Sequence, residues 1–350
     1  MRAQVLKSYD ESMSSNQWIT AENIAEPKLD KSTDVIVRIG AAGVCRTDLH
    51  IIEGVWKRFM DPDGTRLLPM VLGHENAGWI EEVGSDVQGL KKGDPVIVHP
   101  KMSDGLCLAC RRGEDMHGEG PFPGVDCNGG YAELLKTTVR NIVKLPRTLA
   151  PRDVAAHADA GLTAYRVVKK ATRTLLPGQF CVVIGVGGLG HIGLQCLKSM
   201  CASEIIAIDK SKAGLDLATE CGADYLVKAD GTEVAQVLEL TNGKGAEAVI
   251  DFVGERGTTA TGLNMTRAHG TYFVVGYGDD INISSAELVL TERSIVGNLV
   301  GTWAELIELM ALADKGRVKL ITKEYALNHA NQALRDLYAG NVKGRAILVP

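Results

Sequence analysis

The chain has 350 residues, 45% hydrophobic and 23% charged. That length exceeds one ordinary core, and the composition excludes disorder, collagen and a small disulfide-stapled scaffold. With 38 basic and 43 acidic side chains the formal charge is −5, without a basic block, so there is no electrostatic case for nucleic acid or an anionic membrane surface. The opening MRAQVLKSYDESM lacks the apolar run of a secretory signal, and no window approaches the ~18–20 apolar residues of a membrane span. A cytoplasmic chain with reduced cysteines is therefore expected.

Up to about residue 150, short apolar runs alternate with Gly, Pro and Asp, as in 34–44, 76–84 and 94–100, which predicts a mostly β region. Beyond 150–168 the texture changes. FCVVIG (180–185) precedes a helical pattern through 191–200, and EIIAID (204–209) precedes a second over 211–222. YLVKAD, a helix candidate at 232–240 and AEAVIDFVG continue the rhythm, with last strands at 271–278 and 293–301. Apolar strands alternating with helices predict a parallel sheet covered on both faces. A helix over 301–316 with Gly316 as its C-cap follows, and AILVP returns to strand character.

The first strand of this α/β half runs into Gly185-Val-Gly187-Gly188-Leu189-Gly190 and then a helix. This is the dinucleotide turn: Gly185 permits the tight turn, Gly187 lets backbone approach a pyrophosphate, and Gly190 lets helix and strand pack closely. The helix N-terminus offers free N–H groups to the anion. Asp209 ends the second strand, where a carboxylate accepts from the adenosine ribose hydroxyls and repels a 2′-phosphate. NAD is thus preferred over NADP, with Lys210 beside it as a counter-indication. Asp251 to Gly254, including Val253, is placed on the adenosine side.

Three further segments carry metal-type donors: Cys45-Arg-Thr47-Asp48-Leu-His50, Gly73-His74-Glu75, and Asp159 in HADAG. Thiolate, imidazole and carboxylate suit a catalytic zinc with one open position. No short spacing joins them, so the residues alone leave two readings, a Cys45/His74 metal pair or a buried thiol and a hydrogen-bonded core histidine.

The segments GVCRTDLH, LGHENAG, the run 83–96, DAGLTAY, VIGVGGLGHIGLQ and GRAILVP together resemble the zinc-dependent medium-chain dehydrogenase/reductase family over nearly the whole length. The chain is most similar to bacterial NAD-dependent secondary alcohol dehydrogenases. The resemblance implies a GroES-like catalytic domain over 1–153 and 299–350, a Rossmann NAD-binding domain over 154–298, and an active site in the cleft between them. It implies a catalytic zinc on Cys45, His74 and Asp159, with Glu75 behind the metal and able to bind it transiently, and Asp48 fixing the imidazole tautomer. An aspartate in place of a cysteine keeps the ligand charge but hardens the set, which should sharpen the Lewis acidity of the zinc. Thr47 is the implied first proton carrier, followed by the nicotinamide ribose and His50. Read without the family, Thr47 is a helix N-cap and His50 a solvent-facing histidine.

Many relatives bind a structural zinc through C-x2-C-x2-C-x7-C. Here Cys107 and Cys110 hold the middle positions, Asp104 replaces the first cysteine and Gly118 the last, with His117 one residue early and Asp115 and Cys127 more remote. A degenerate zinc site on Asp104, Cys107, Cys110 and His117 and an emptied lobe with two reduced thiols both remain open. Trp56 and Phe59 are candidate pocket walls or a local apolar cluster, and Trp303 falls where the family returns to the substrate. Arg345 is either a surface arginine or a contact to the coenzyme pyrophosphate. His191 follows Gly190 in the coenzyme helix, where the family tolerates variation, and is not assigned a catalytic part; His99, His157, His269 and His329 have no motif support and read as structural or solvent-facing.

The expected activity is reversible hydride transfer between a hydrophobic or aromatic, secondary or primary alcohol and NAD, in a homotetramer or a homodimer. A polyol, amino-alcohol or pathway-specific dehydrogenase is the enzymatic alternative, and a silent NAD-binding structural protein the other. Zinc-free quinone reductases share the fold, but Cys45, His74 and Asp159 argue against them.

Overall fold

A computed structural model describes residues 1–64 and 66–350, apart from the Phe59 side chain. The chain divides into one unit of Met1–Ala160, Gly301–Asp314 and Leu320–Pro350, and a second of Gly161–Val300 and Lys315–Lys319.

The second unit is a six-stranded parallel sheet. Its order is Tyr225–Lys228, Glu204–Asp209, Phe180–Ile184, Ala246–Asp251, Thr266–Val274 and Ser294–Gly297. The chain enters at the middle, winds outward one way, then returns to wind the other, which is the doubly wound Rossmann order. Val182, Ile184, Ile206, Ile208 and Val249 bury together because central parallel strands have no wet face. The predicted helix at 191–200 is observed as Gly190–Met200, and Lys212–Glu220 and Glu233–Leu240 match the next two. Helices Thr258–Met265 and Ser285–Thr291 carry no clear apolar period and escape a pattern reading.

The glycines at the first turn are set by collision. Gly185 has φ +85°, and a Cβ there would stand 2.5 Å from Val253 Cγ2. A Cβ on Gly190 would lie 1.9 Å from the Gly185 carbonyl oxygen, a contact only backbone movement relieves. A Cβ on Gly187 meets nothing within 4 Å, so that position faces open space. Gly190→Ala is accordingly expected to weaken NAD binding by roughly tenfold or more, about 1.4 kcal/mol. Titration calorimetry checks it, and unchanged affinity would refute the steric account.

The first unit is mainly β. Strand Asp34–Val44 pairs with Glu75–Val83 on one side and with Leu134–Thr138 and Arg345–Val349 on the other, all antiparallel. Pro95–Val98, Ile142–Lys144 and Thr322–Ala326 complete that sheet. A separate three-stranded sheet joins Ile19–Asn23, Arg2–Leu6 and Met70–Val71. In the seven-stranded sheet Val35, Val37, Ile39, Val44, Ile80, Val96 and Leu348 bury together, and Asp34–Val44 is buried at every position but Arg38, so both faces of that central strand are covered. The helix predicted over 301–316 runs Trp303–Asp314, and Gly316 takes the left-handed φ of +64°. Among the described residues no helix is long and apolar enough to cross a membrane.

Candidate active site

Strand pairing places the donors. Gly43 stands opposite Glu75 on one side and Ile347 on the other. Cys45 therefore leaves its strand beside His74-Glu75 and near the start of the strand that begins with Arg345. Gly43 has no side chain because a Cβ there would lie 1.8 Å from Glu75 Oε2. Asp159 follows the single-turn helix Ala155–Ala158. Ligand atoms of Cys45, His74, Glu75 and Asp159 all lie within 4.8 Å of one another.

His74 Nε2 is 3.1 Å from Asp159 Oδ2, and its Nδ1 is 3.5 Å from Asp48 Oδ1. Both of those facing atoms, Nδ1 and Oδ1, are buried without a hydrogen-bond partner. Asp48 Oδ2 accepts from the Cys45 backbone N–H and from the Tyr131 hydroxyl, each at 2.8 Å. Glu75 is fully buried, accepts from the Ala160 N–H at 3.0 Å, and is gripped by Arg345 through Nε at 3.0 Å and through Nη2.

Burial alone would push the His74 imidazole down, but Asp48, Asp159 and the Cys45 sulfur outweigh it and hold it well above its ordinary range. Burial pushes the Glu75 carboxyl up against the opposing pull of Arg345. Thus a thiol and three carboxylates gather around one imidazole and one guanidinium, and a buried divalent cation would offset most of the excess negative charge. The donors suit zinc: one thiolate, one imidazole and one carboxylate, with Asp48 directed at the other ring nitrogen. Cys45, His74 and Asp159 would hold the ion, and Glu75, committed to Arg345, stands behind it.

Tyr131 was not visible as a site residue, because it lies far from Asp48 in sequence and only the fold sets its hydroxyl there. Tyr131→Phe removes one bond to a buried carboxylate, a cost of about 1.5–3 kcal/mol. It is expected to speed zinc loss to a chelator roughly 10-fold. Zinc release at the wild-type rate would deny Tyr131 this part.

Thr47 sits inside the helix Arg46–Ile52, whose N-cap is Cys45, so the capping reading of Thr47 is corrected. Its Oγ1 is 3.6 Å from the Cys45 sulfur. His50 is only 8% exposed, which corrects the solvent-facing reading: the helix turns it inward. Arg345 is 3% exposed. Its register brings it to the buried Glu75 carboxylate, which corrects the surface reading.

In the coenzyme turn, Asp209 Oδ2 accepts from the Val186 N–H at 2.9 Å and Oδ1 from the Ser211 N–H and hydroxyl at 2.8 Å. The carboxylate is thus fixed at the strand end with lone pairs to spare. Gly187 is exposed, Gly188 and Leu189 are half-buried, Lys210 is exposed, and Val253 packs on Gly185. The open backbone and the fixed acid fit a dinucleotide.

The remaining candidates are placed otherwise. Among the described residues, the lobe at 101–127 contains no group of three metal donors. Asp104 caps the Leu106 N–H, Asp115 is held by Ser103 and Arg140, and His117 is exposed. Asp104 and His117 thus do not gather with the two thiols into one donor group. Trp303 donates to the Ile142 carbonyl at 3.1 Å and lines a pocket of about 590 Å³ with Leu90, Ile142, Ile307 and Met310. None of the proposed zinc donors Cys45, His74 and Asp159 lines that pocket. Trp56 packs against the core, and the Phe59 side chain lies outside the described residues. His99 is buried between the Lys101 and Gly301 carbonyls, a structural role.

Two family models match: the alcohol dehydrogenase GroES-like domain over residues 31–147 and the zinc-binding dehydrogenase over residues 188–315. An NAD-dependent alcohol dehydrogenase of Sulfurisphaera tokodaii is 37% identical over 94% of this chain and 96% of its own. A D-arabinose 1-dehydrogenase (NADP+) of Saccharolobus solfataricus is 35% identical over 100% of this chain and 97% of its own. The crystal structure of the alcohol dehydrogenase from Aeropyrum pernix superposes with a TM-score of 0.94 at 44% identity, covering 100% of both chains. These three are archaeal, where the sequence alone pointed towards bacterial relatives.

Proposed function

The chain belongs to the zinc-dependent alcohol dehydrogenases of the medium-chain family, and on that premise we propose that it interconverts a hydrophobic secondary alcohol and its ketone with NAD. Zinc supplies the Lewis acidity that makes the substrate hydroxyl easy to deprotonate, and NAD supplies the hydride acceptor. The chain's residues do the rest. Cys45, His74 and Asp159 hold the ion, and Asp48, anchored by Tyr131, keeps the His74 ring oriented. Thr47, beside the Cys45 sulfur, takes part in passing the hydroxyl proton, and His50 carries it onward. Asp209 holds the adenosine ribose and disfavours a 2′-phosphate.

The convergence of Cys45, His74 and Asp159 within 4.8 Å carries this reading. The test is NADH formation at 340 nm across secondary, primary, aromatic and polyol substrates, with NAD and NADP compared. Secondary alcohols with NAD should be preferred, and turnover confined to sugars with NADP would overturn the reading. The second reading, a polyol or sugar dehydrogenase, is favoured by the relative named for D-arabinose. A homotetramer, with a homodimer as alternative, and a reducing cytoplasm complete the proposal.

A further inference from the structure

The lobe at 101–127 places two sulfurs together without the donors of a closed metal site. Cys107 caps the helical turn Leu108–Arg111, and Cys110 is its third residue. Their Sγ atoms are 3.2 Å apart. A disulfide needs about 2.05 Å, so closure asks for roughly 1.2 Å of movement shared by two side chains on one turn. Gly118 lies against both: a Cβ there would stand 2.6 Å from Cys110 Sγ and 3.5 Å from Cys107 Sγ. No third thiol enters from that side. The nearby carboxylates are committed, Asp115 to Ser103 and Arg140, Asp104 to the Leu106 N–H.

The two sulfurs differ in access. Cys110 is 5% exposed, whereas Cys107 is half-buried. Leu106 and Leu108, on either side of Cys107, are 69% and 67% exposed, which leaves the approach to it open and apolar. One sulfur can be reached from outside, and the second waits directly behind it.

We propose that Cys107 and Cys110 form a reversible dithiol–disulfide site for small-molecule disulfides, with Cys107 attacking and Cys110 resolving. The site stands apart from alcohol oxidation. Cys107 sulfur attacks one sulfur of R–S–S–R, the reagent's S–S bond breaks, and RSH leaves with the Cys107 hydrogen. Cys110 sulfur then attacks Cys107 Sγ in the mixed disulfide and expels a second RSH with its own hydrogen. The protein loses two electrons and two protons, and the reagent gains both as two thiols.

The test treats full-length, zinc-loaded enzyme with oxidised glutathione and maps the products by peptide mass spectrometry. Wild type should lose two hydrogens in the peptide carrying both cysteines and regain them with dithiothreitol. Cys110→Ser should stop with one glutathionyl group on Cys107, and Cys107→Ser should show neither product in the lobe. A wild-type lobe that stays reduced while other cysteines react would overturn the proposal. So would glutathionylation of Cys110 in the Cys107→Ser protein, or a second zinc per chain that protects both thiols.

Discussion

Asp159→Ala is expected to lower kcat/KM for alcohol oxidation by about a thousandfold, about 4 kcal/mol of transition-state stabilisation. Asp159 is the carboxylate beside His74, with Oδ2 3.1 Å from Nε2, and it comes from a segment 85 residues away in sequence. Without it Cys45 and His74 remain, too few for a catalytic zinc held by three protein ligands. Glu75 is no ready substitute, because its two oxygens are bound by Arg345 and the Ala160 N–H. Zinc per chain should fall together with activity. NAD affinity, measured by fluorescence, should hold, since the glycine turn belongs to a different part of the chain. Asp159→Cys retains an anionic ligand and should keep its zinc while losing much less activity. Full turnover in Asp159→Ala would remove the carboxylate from the account.

Arg345→Met should destabilise the folded protein by about 3–5 kcal/mol, because it strands a carboxylate that has no access to water. Glu75 is fully buried and Arg345 is 3% exposed, and the two are joined by two hydrogen bonds. Burial already pushes the Glu75 carboxyl up, and Arg345 is the strongest force opposing it. Without the guanidinium, Glu75 must stay charged at great cost or take a proton. Glu75→Gln in the same background should recover most of the loss, since a neutral amide leaves no stranded charge. Urea unfolding of zinc-loaded protein reads both variants. A midpoint for Arg345→Met equal to wild type would show that the pair contributes nothing.

The α/β half was legible because its strands are continuous apolar runs, each followed by a helix or turn: 180–184, 204–209 and 246–251 stand out by composition alone. The first sheet was not, because Arg2–Leu6 and Ile19–Asn23 are completed by a two-residue strand at Met70–Val71, too short to leave a period. The glycine turn could be read locally, since its glycines follow one another within a single strand-turn-helix segment. The donors could not: nothing periodic links Cys45 to His74 or Asp159, and only the family resemblance joined them before the structure did. Arg345 and Trp303 show the opposite limit. Their segments were noticed, but register turned one towards Glu75 and helix position turned the other towards the Ile142 carbonyl.

The central claim is that one zinc, held by Cys45, His74 and Asp159, is required for alcohol oxidation. Its most direct measurement strips the metal with a chelator, verifies its absence by mass spectrometry of the elements, and follows NADH formation as zinc is returned. Activity should vanish in the stripped enzyme and recover in proportion to zinc, reaching its plateau at one equivalent per chain. Undiminished turnover in enzyme verified to be free of zinc would contradict the account.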